Sequence, residues 1–200
     1  VNGVDYSAGA IKVKGSALFN ILYKEEGDYI SKVLTILNNK PEVMELEGKC
    51  VMAGGIEAHV HFREPGMTAK ADMHTESMAA AAGGVTSVLD MPNVVPQTTT
   101  RENWRQRMEL AKDGMHVNYA FFIGATNNNL DEIMAMPLKE YPGVKLFMGS
   151  STGNMLVDKR EMLEQLFSRS PKLIMTHCEE TSRINANMKA AQEKYGDDPS

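Results

Sequence analysis

Two cysteines, Cys50 and Cys178, are too few for a disulfide framework and suit a reducing compartment. No apolar run approaches the ~20 residues of a membrane-spanning helix. Basic residues are not in excess. Lys and Arg number 21 against 26 Asp and Glu, a net charge of −5, with a pI near 5.6. Neither nucleic acid nor an anionic membrane is therefore expected as a partner. The first residues, Val1-Asn2-Gly3-Val4-Asp5, lack the charged-then-apolar pattern of a secretory leader. Together these features set the expectation of a cytoplasmic protein. What is present is ordinary for a soluble domain: 200 residues, 42% hydrophobic and 24% charged, enough for a sizeable core. Fifteen methionines read as adaptable core filler.

Residues 1–50 hold short β-like pieces at 10–13, 17–23, 29–36 and 42–46, with Glu26-Gly27-Asp28 as a hairpin turn. From Val51 onward the pattern changes to strands alternating with helices, which predicts βα units and a parallel sheet. The strands are expected at 51–59, 85–91, 117–123, 144–148 and 172–176, and the helices at 71–82, 100–113, 130–136, 159–168 and 182–195. Gly83-Gly84 and Gly114 are helix stops and Thr100 a helix cap. Asp158, with Glu161 three residues on, forms a capping-box-like start. The strands are apolar runs rather than alternating ones, as for strands buried on both faces. About five units are present where a (β/α)8 barrel has eight. An unclosed barrel would leave strand edges exposed, so the sequence is expected to be the N-terminal portion of a longer polypeptide.

The chemistry-bearing segment is Gly55-Ile56-Glu57-Ala58-His59-Val60-His61-Phe62-Arg63-Glu64-Pro65-Gly66. In a strand, residues i and i+2 share a face, so His59 and His61 can offer two imidazoles to one metal. A His-x-His alone carries little. Here it ends an apolar strand, precedes a sharp turn and is matched by a downstream strand-end histidine, His177. Arg63, expected to continue the same register, adds a donor fork suited to a carboxylate. Lys145 lies inside the apolar strand Val144-Lys145-Leu146-Phe147-Met148. By itself it reads as a snorkelling or edge lysine. The sharper reading is a lysine neutral enough to react with CO2, whose carbamate can bridge two divalent metals. His177 alone reads equally as a hydrogen-bonded core histidine, and Asn93 as a turn residue or a ligand donor. Imidazole and carboxylate-type oxygen together suit zinc. His74 and His116 are expected to face solvent.

In order, these residues resemble dihydroorotase, the cyclic amidohydrolase of pyrimidine synthesis. The resemblance rests on the Gly55 to Gly66 segment and on Ala82-Gly83-Gly84-Val85-Thr86-Ser87. It continues through Asp90-Met91-Pro92-Asn93, then Gly143-Val144-Lys145-Leu146-Phe147-Met148-Gly149-Ser150-Ser151-Thr152-Gly153-Asn154, and ends with Thr176-His177-Cys178-Glu179. It spans about 50 to 200. It implies an α/β fold, a (β/α)8 TIM-like barrel of the metal-dependent hydrolase type. Residues 51–200 would be its first part, and residues 1–50 part of a small N-terminal β domain, a β-sandwich. It implies two zinc ions per site: His59 and His61 on the more buried metal, carboxylated Lys145 bridging both, and His177 on the second. Arg63 and Asn93 would hold the substrate carboxylate. The implied reaction is the reversible hydrolysis of dihydroorotate to N-carbamoyl-aspartate, so the partner is a small molecule, and a homodimer is allowed. The catalytic aspartate and a further metal histidine would fall beyond Ser200. Two alternatives stand beside this: a hydantoinase- or allantoinase-like hydrolase, from which Arg63 argues away, and a catalytically silent scaffold homologue, from which the joint presence of His59, His61, Lys145 and His177 argues away.

Overall fold

A computed structural model describes residues 3–7, 10–25, 28–45, 50–149 and 153–196. The chain divides into two compact units. The first comprises residues 1–90 and 110–120, the second residues 91–109 and 121–200.

In the first unit, β1 (Gly3–Ser7), β2 (Ala10–Glu25) and β3 (Asp28–Glu45) form an antiparallel sheet, and β4 (Cys50–Met52) pairs with β2. The short pieces read from the sequence are stretches of long strands. Glu25 faces Asp28 at the end of the β2–β3 register, where the hairpin turn was expected. The single strand expected over 51–59 is two. β4 pairs antiparallel with β2, while β5 (Gly55–Val60) runs parallel to β6 (Val85–Asp90). Gly54 lies in the break, where a Cβ would collide with the Thr86 side chain. Sheet order is β5-β6-β7, with β7 at Asn118–Phe121.

Between β5 and β6 runs α1 (Met73–Ala82). Asp72 caps it, its carboxylate accepting from the Thr75 backbone N–H at 2.7 Å. Gly83 ends the helix, and Gly84 follows with φ +85, a backbone state glycine adopts without a Cβ penalty. Met73 and Ser77 are the buried residues of α1. They join Val88 and Phe62 in the core.

The second unit carries α2, whose helix (Arg101–Gly114) spans both units, then β8 (Ile123–Gly124), α3 (Leu130–Ala135), β9 (Gly143–Phe147), α4 (Arg160–Arg169), β10 (Leu173–His177) and α5 (Thr181–Tyr195). β8, β9 and β10 form a parallel sheet with β9 in the middle. Thr100 caps α2 as expected, accepting from the Asn103 N–H at 3.1 Å. Asp158 does not cap α4. The N-cap is Lys159, without a side-chain bond, and the Asp158 carboxylate instead accepts from Asn127 Nδ2 at 2.8 Å.

The core of this unit includes Phe121, Phe122, Ile123, Val144, Leu146 and Leu166. A Leu166→Ala truncation there would cost about 2–5 kcal/mol. Gly143 admits no side chain: a Cβ would stand 2.7 Å from the Leu173 carbonyl oxygen. Burial on both faces holds for β9 but not for every strand. β5 and β10 are outer strands of their sheets, and Ile56 and Leu173 are 73% and 68% exposed. An apolar run is needed for a doubly covered strand, but it does not cover one.

Candidate metal and substrate site

The first unit holds three of the sequence-selected residues. His59 is the penultimate residue of β5, exposed, and His61 follows the strand's end, half-buried. Their ring centroids are 5.2 Å apart with planes at 51°, close enough to offer nitrogens to one ion. The His59 backbone N–H donates to Glu57 Oε1 at 3.1 Å. This partner was not singled out from the sequence, although its i−2 spacing puts it on the histidine face.

Beyond His61 the chain turns. The Phe62 N–H donates to Oδ1 of Asp90 at 3.3 Å, a carboxylate that is 0% exposed at the end of β6. Asp90 thereby anchors the segment between His61 and Arg63. Arg63 does not continue the strand register. The strand ends at Val60, and Arg63 stands at φ +63. That left-handed state costs a non-glycine residue about 1 kcal/mol or more and needs support from its surroundings. The support is local: the Arg63 carbonyl accepts from the Met67 N–H at 3.1 Å, and Glu64 Oε2 accepts from the Met73 N–H at 2.8 Å.

The second unit holds the other three. Lys145 is the middle residue of β9 and 1% exposed. Burial pushes its amine below the ordinary ammonium range. Its Nζ stands 5.0 Å from the Phe147 ring centroid. The edge-lysine reading therefore does not hold, and the shift runs in the direction that carbamate formation needs. His177 ends the neighbouring strand β10, opposite Phe147 in the parallel register, where Met175 faces Lys145. Its Nε2 pairs with Glu179 Oε1 at 3.0 Å, which fixes the ring and leaves Nδ1 as the remaining donor. Glu179, at i+2, is a second partner the sequence reading passed over. Asn93 lies half-buried in the loop after β6, where the Pro92 carbonyl accepts from Val94 and Thr98, both at 3.0 Å. An open cleft of about 890 Å³ lies at the C-terminal ends of β9 and β10, lined by Met148, Leu156, Cys178, Glu179 and Arg183 among others.

Taken by itself, each unit offers donor types that suit a divalent metal: two neighbouring strand-end imidazoles in the first, and in the second a strand-end imidazole and a buried lysine whose charge is disfavoured. Among the described residues no group of three or more His, Cys, Asp or Glu is clustered for a metal. A lysine carbamate falls outside that set of donors.

The model of the "Amidohydrolase family" matches residues 50–197. The chain is 37% identical over 142 residues to the dihydroorotase of Methanosarcina mazei, covering 69% of this chain and 31% of that protein. It is 37% identical over 111 residues to a mitochondrial allantoinase of Aquarana catesbeiana, covering 55% of this chain and 23% of the other. Among solved structures, the L-hydantoinase (dihydropyrimidinase) of Arthrobacter aurescens superposes with a TM-score of 0.66 at 24% identity, over 85% of this chain and 42% of that one. The fold is thus of the TIM-barrel type, with about five of its βα units in this sequence. The chain spans about a third of the length of the curated relatives it matches.

Proposed function

The chain belongs to the amidohydrolase family, and from that premise we propose that it is the metal-binding part of a zinc-dependent dihydroorotase. The reaction would be the reversible hydrolysis of dihydroorotate to N-carbamoyl-aspartate, in the cytoplasmic pathway of pyrimidine synthesis. The observation that carries the reading is Lys145, a fully buried lysine in the central strand of a parallel sheet, its charge disfavoured and its neighbouring strand ending in His177.

In this proposal His59, His61, His177 and carboxylated Lys145 would hold the zinc. Bound zinc would polarise the ring amide carbonyl and activate the attacking water. The remaining work falls to side chains. Glu57 and Asp90 hold the backbone on which His59, His61 and Arg63 ride. Arg63 grips the substrate carboxylate with a bidentate, charge-assisted pair, and Asn93 adds an amide donor to it. Glu179 keeps the His177 ring from rotating. The proton shuttle to the departing ring nitrogen is assigned to no residue of this sequence. Residues 1–50 are proposed as part of a small β domain.

The allantoinase relative and the hydantoinase structure support a second reading, a hydrolase of another cyclic ureide. Hydrolysis of dihydroorotate, hydantoin and allantoin by the complete zinc-loaded protein separates the two. A preference for dihydroorotate that Arg63→Met abolishes supports the first. Preference for hydantoin or allantoin, unaffected by that change, overturns it.

A further inference from the structure

Away from these residues, the first unit brings two other histidines together. His74 is in the first turn of α1, and His116 precedes β7. Both are exposed. His116 Nε2 and His74 Nδ1 are 2.9 Å apart, and the rings meet edge to face with centroids 4.7 Å apart. Both are solvent-facing, as the sequence predicts, but they are not apart.

Their juxtaposition is built rather than incidental. Ser77, 0% exposed, joins both backbones through one hydroxyl: it accepts from the His116 N–H at 3.1 Å and donates to the His74 carbonyl at 3.2 Å. The same hydroxyl lies 3.5 Å from the Gly114 carbonyl, so the end of α2 is tied in as well. Asp72 fixes the helix start beneath His74 through bonds to Thr75 N and Oγ1. Two exposed imidazoles are thus held facing each other by a buried clamp and a capped helix.

A nitrogen pair at that spacing can share a proton or a cation. A transition metal binds imidazole nitrogen at ~2.0–2.1 Å, which puts two cis donors ~2.9–3.3 Å apart. The observed 2.9 Å separation falls within that range, so that rotation of the exposed rings can bring both nitrogens onto one ion, with solvent completing the coordination. Asp72 and Glu76 supply negative charge to the same helix turn that offsets the cation. We propose that His74 and His116 form a surface site for a divalent transition cation of the copper, nickel or zinc class, separate from the proposed hydrolytic centre.

The test uses Cu2+, the divalent ion that nitrogen sites bind most tightly, added to the complete zinc-loaded protein. The expected result is one equivalent of copper beyond the resident metal, with an electron paramagnetic resonance signal split by two nitrogens. His74→Ala and His116→Ala should each weaken that equivalent by about tenfold or more while resident zinc and helix content stay unchanged. Both side chains are exposed, so both variants are expected to fold. Copper binding unchanged in both variants overturns the proposal. So does the absence of any extra equivalent in the parent protein, which would leave the pair sharing only a proton.

Discussion

β5 and β9 are both parallel strands carrying proposed ligands, and their surroundings are opposite. β5 is exposed along nearly its whole length and carries His59 as its penultimate residue. β9 is buried at every residue and has Lys145 at its centre. The difference follows sheet order, since β5 is an outer strand and β9 a central one, and it suits the chemistry of the two side chains. Imidazole is largely neutral near pH 7 and can ligate from a wet strand. A lysine amine is protonated by more than three units of pH in water, and only desolvation brings it toward the neutral form that captures CO2. Sequence motifs mark both positions alike, but only one of them needs a buried strand around it.

The largest effect expected from breaking this contrast is at Lys145. Lys145→Ala should cost more than about 100-fold in metal affinity, with partial rescue by short carboxylic acids that replace the carbamate. Full metal occupancy in that variant, measured by atomic absorption, would refute the carbamate bridge. His59→Ala should also lose metal, but without the change in thermal stability that a truncation inside β9 brings. Equal destabilisation of the two would erase the distinction between wet and dry strands.

Arg63 comes next. Arg63→Met should raise KM for dihydroorotate by about tenfold or more at normal zinc content. An unchanged KM removes Arg63 from the substrate site. Arg63→Gly should raise KM similarly yet stabilise the fold by about 1 kcal/mol, because glycine occupies φ +63 without strain. A lower melting temperature for this variant would show that Arg63 holds the fold through its side chain.

The smallest effect concerns the approach to β9. Arg101 Nε donates to Glu140 Oε2 at 2.9 Å, and the pair is bidentate. The Arg101 guanidinium holds the Glu140 carboxyl below the usual glutamate range. Because the folded-state pKa is depressed, the pair's contribution is present above the unfolded-state value near 4.3 and is lost as pH falls through the folded one. Glu140→Gln should lower the melting temperature at pH 7 by about 2 °C and flatten its acid decline below about pH 4.3. An unaltered acid limb would show that the pair contributes nothing to it.

The sequence was most informative where one physical cause dominates. Val144, Leu146 and Phe147 are apolar because β9 is enclosed, and glycines mark the end of α1 because Gly84 takes a positive φ. It was least informative where two causes compete. The Asp158 carboxylate could cap α4 or bind Asn127, and the three-dimensional position of Asn127 decides it. Ile56 and Leu173 fit a buried strand equally well as an outer one, and sheet order decides that. The six residues of the proposed site were selected from type and spacing. The partners that aim them were not, since Asp90 reaches Phe62 across 28 positions of sequence. Nor was the His74–His116 pair, whose members are 42 positions apart.

Enclosure of Lys145 has a consequence for how such a protein matures. If Lys145 carries the proposed carbamate, a side chain with 1% of its surface accessible would meet dissolved CO2 and a metal ion while the chain is still assembling or when β9 transiently opens. Under the proposed carbamate, activation would be a timed event rather than a simple equilibrium. Zinc and bicarbonate supplied during folding should yield active protein quickly, whereas the same reagents given to finished, metal-stripped protein should act at the slow pace of strand opening.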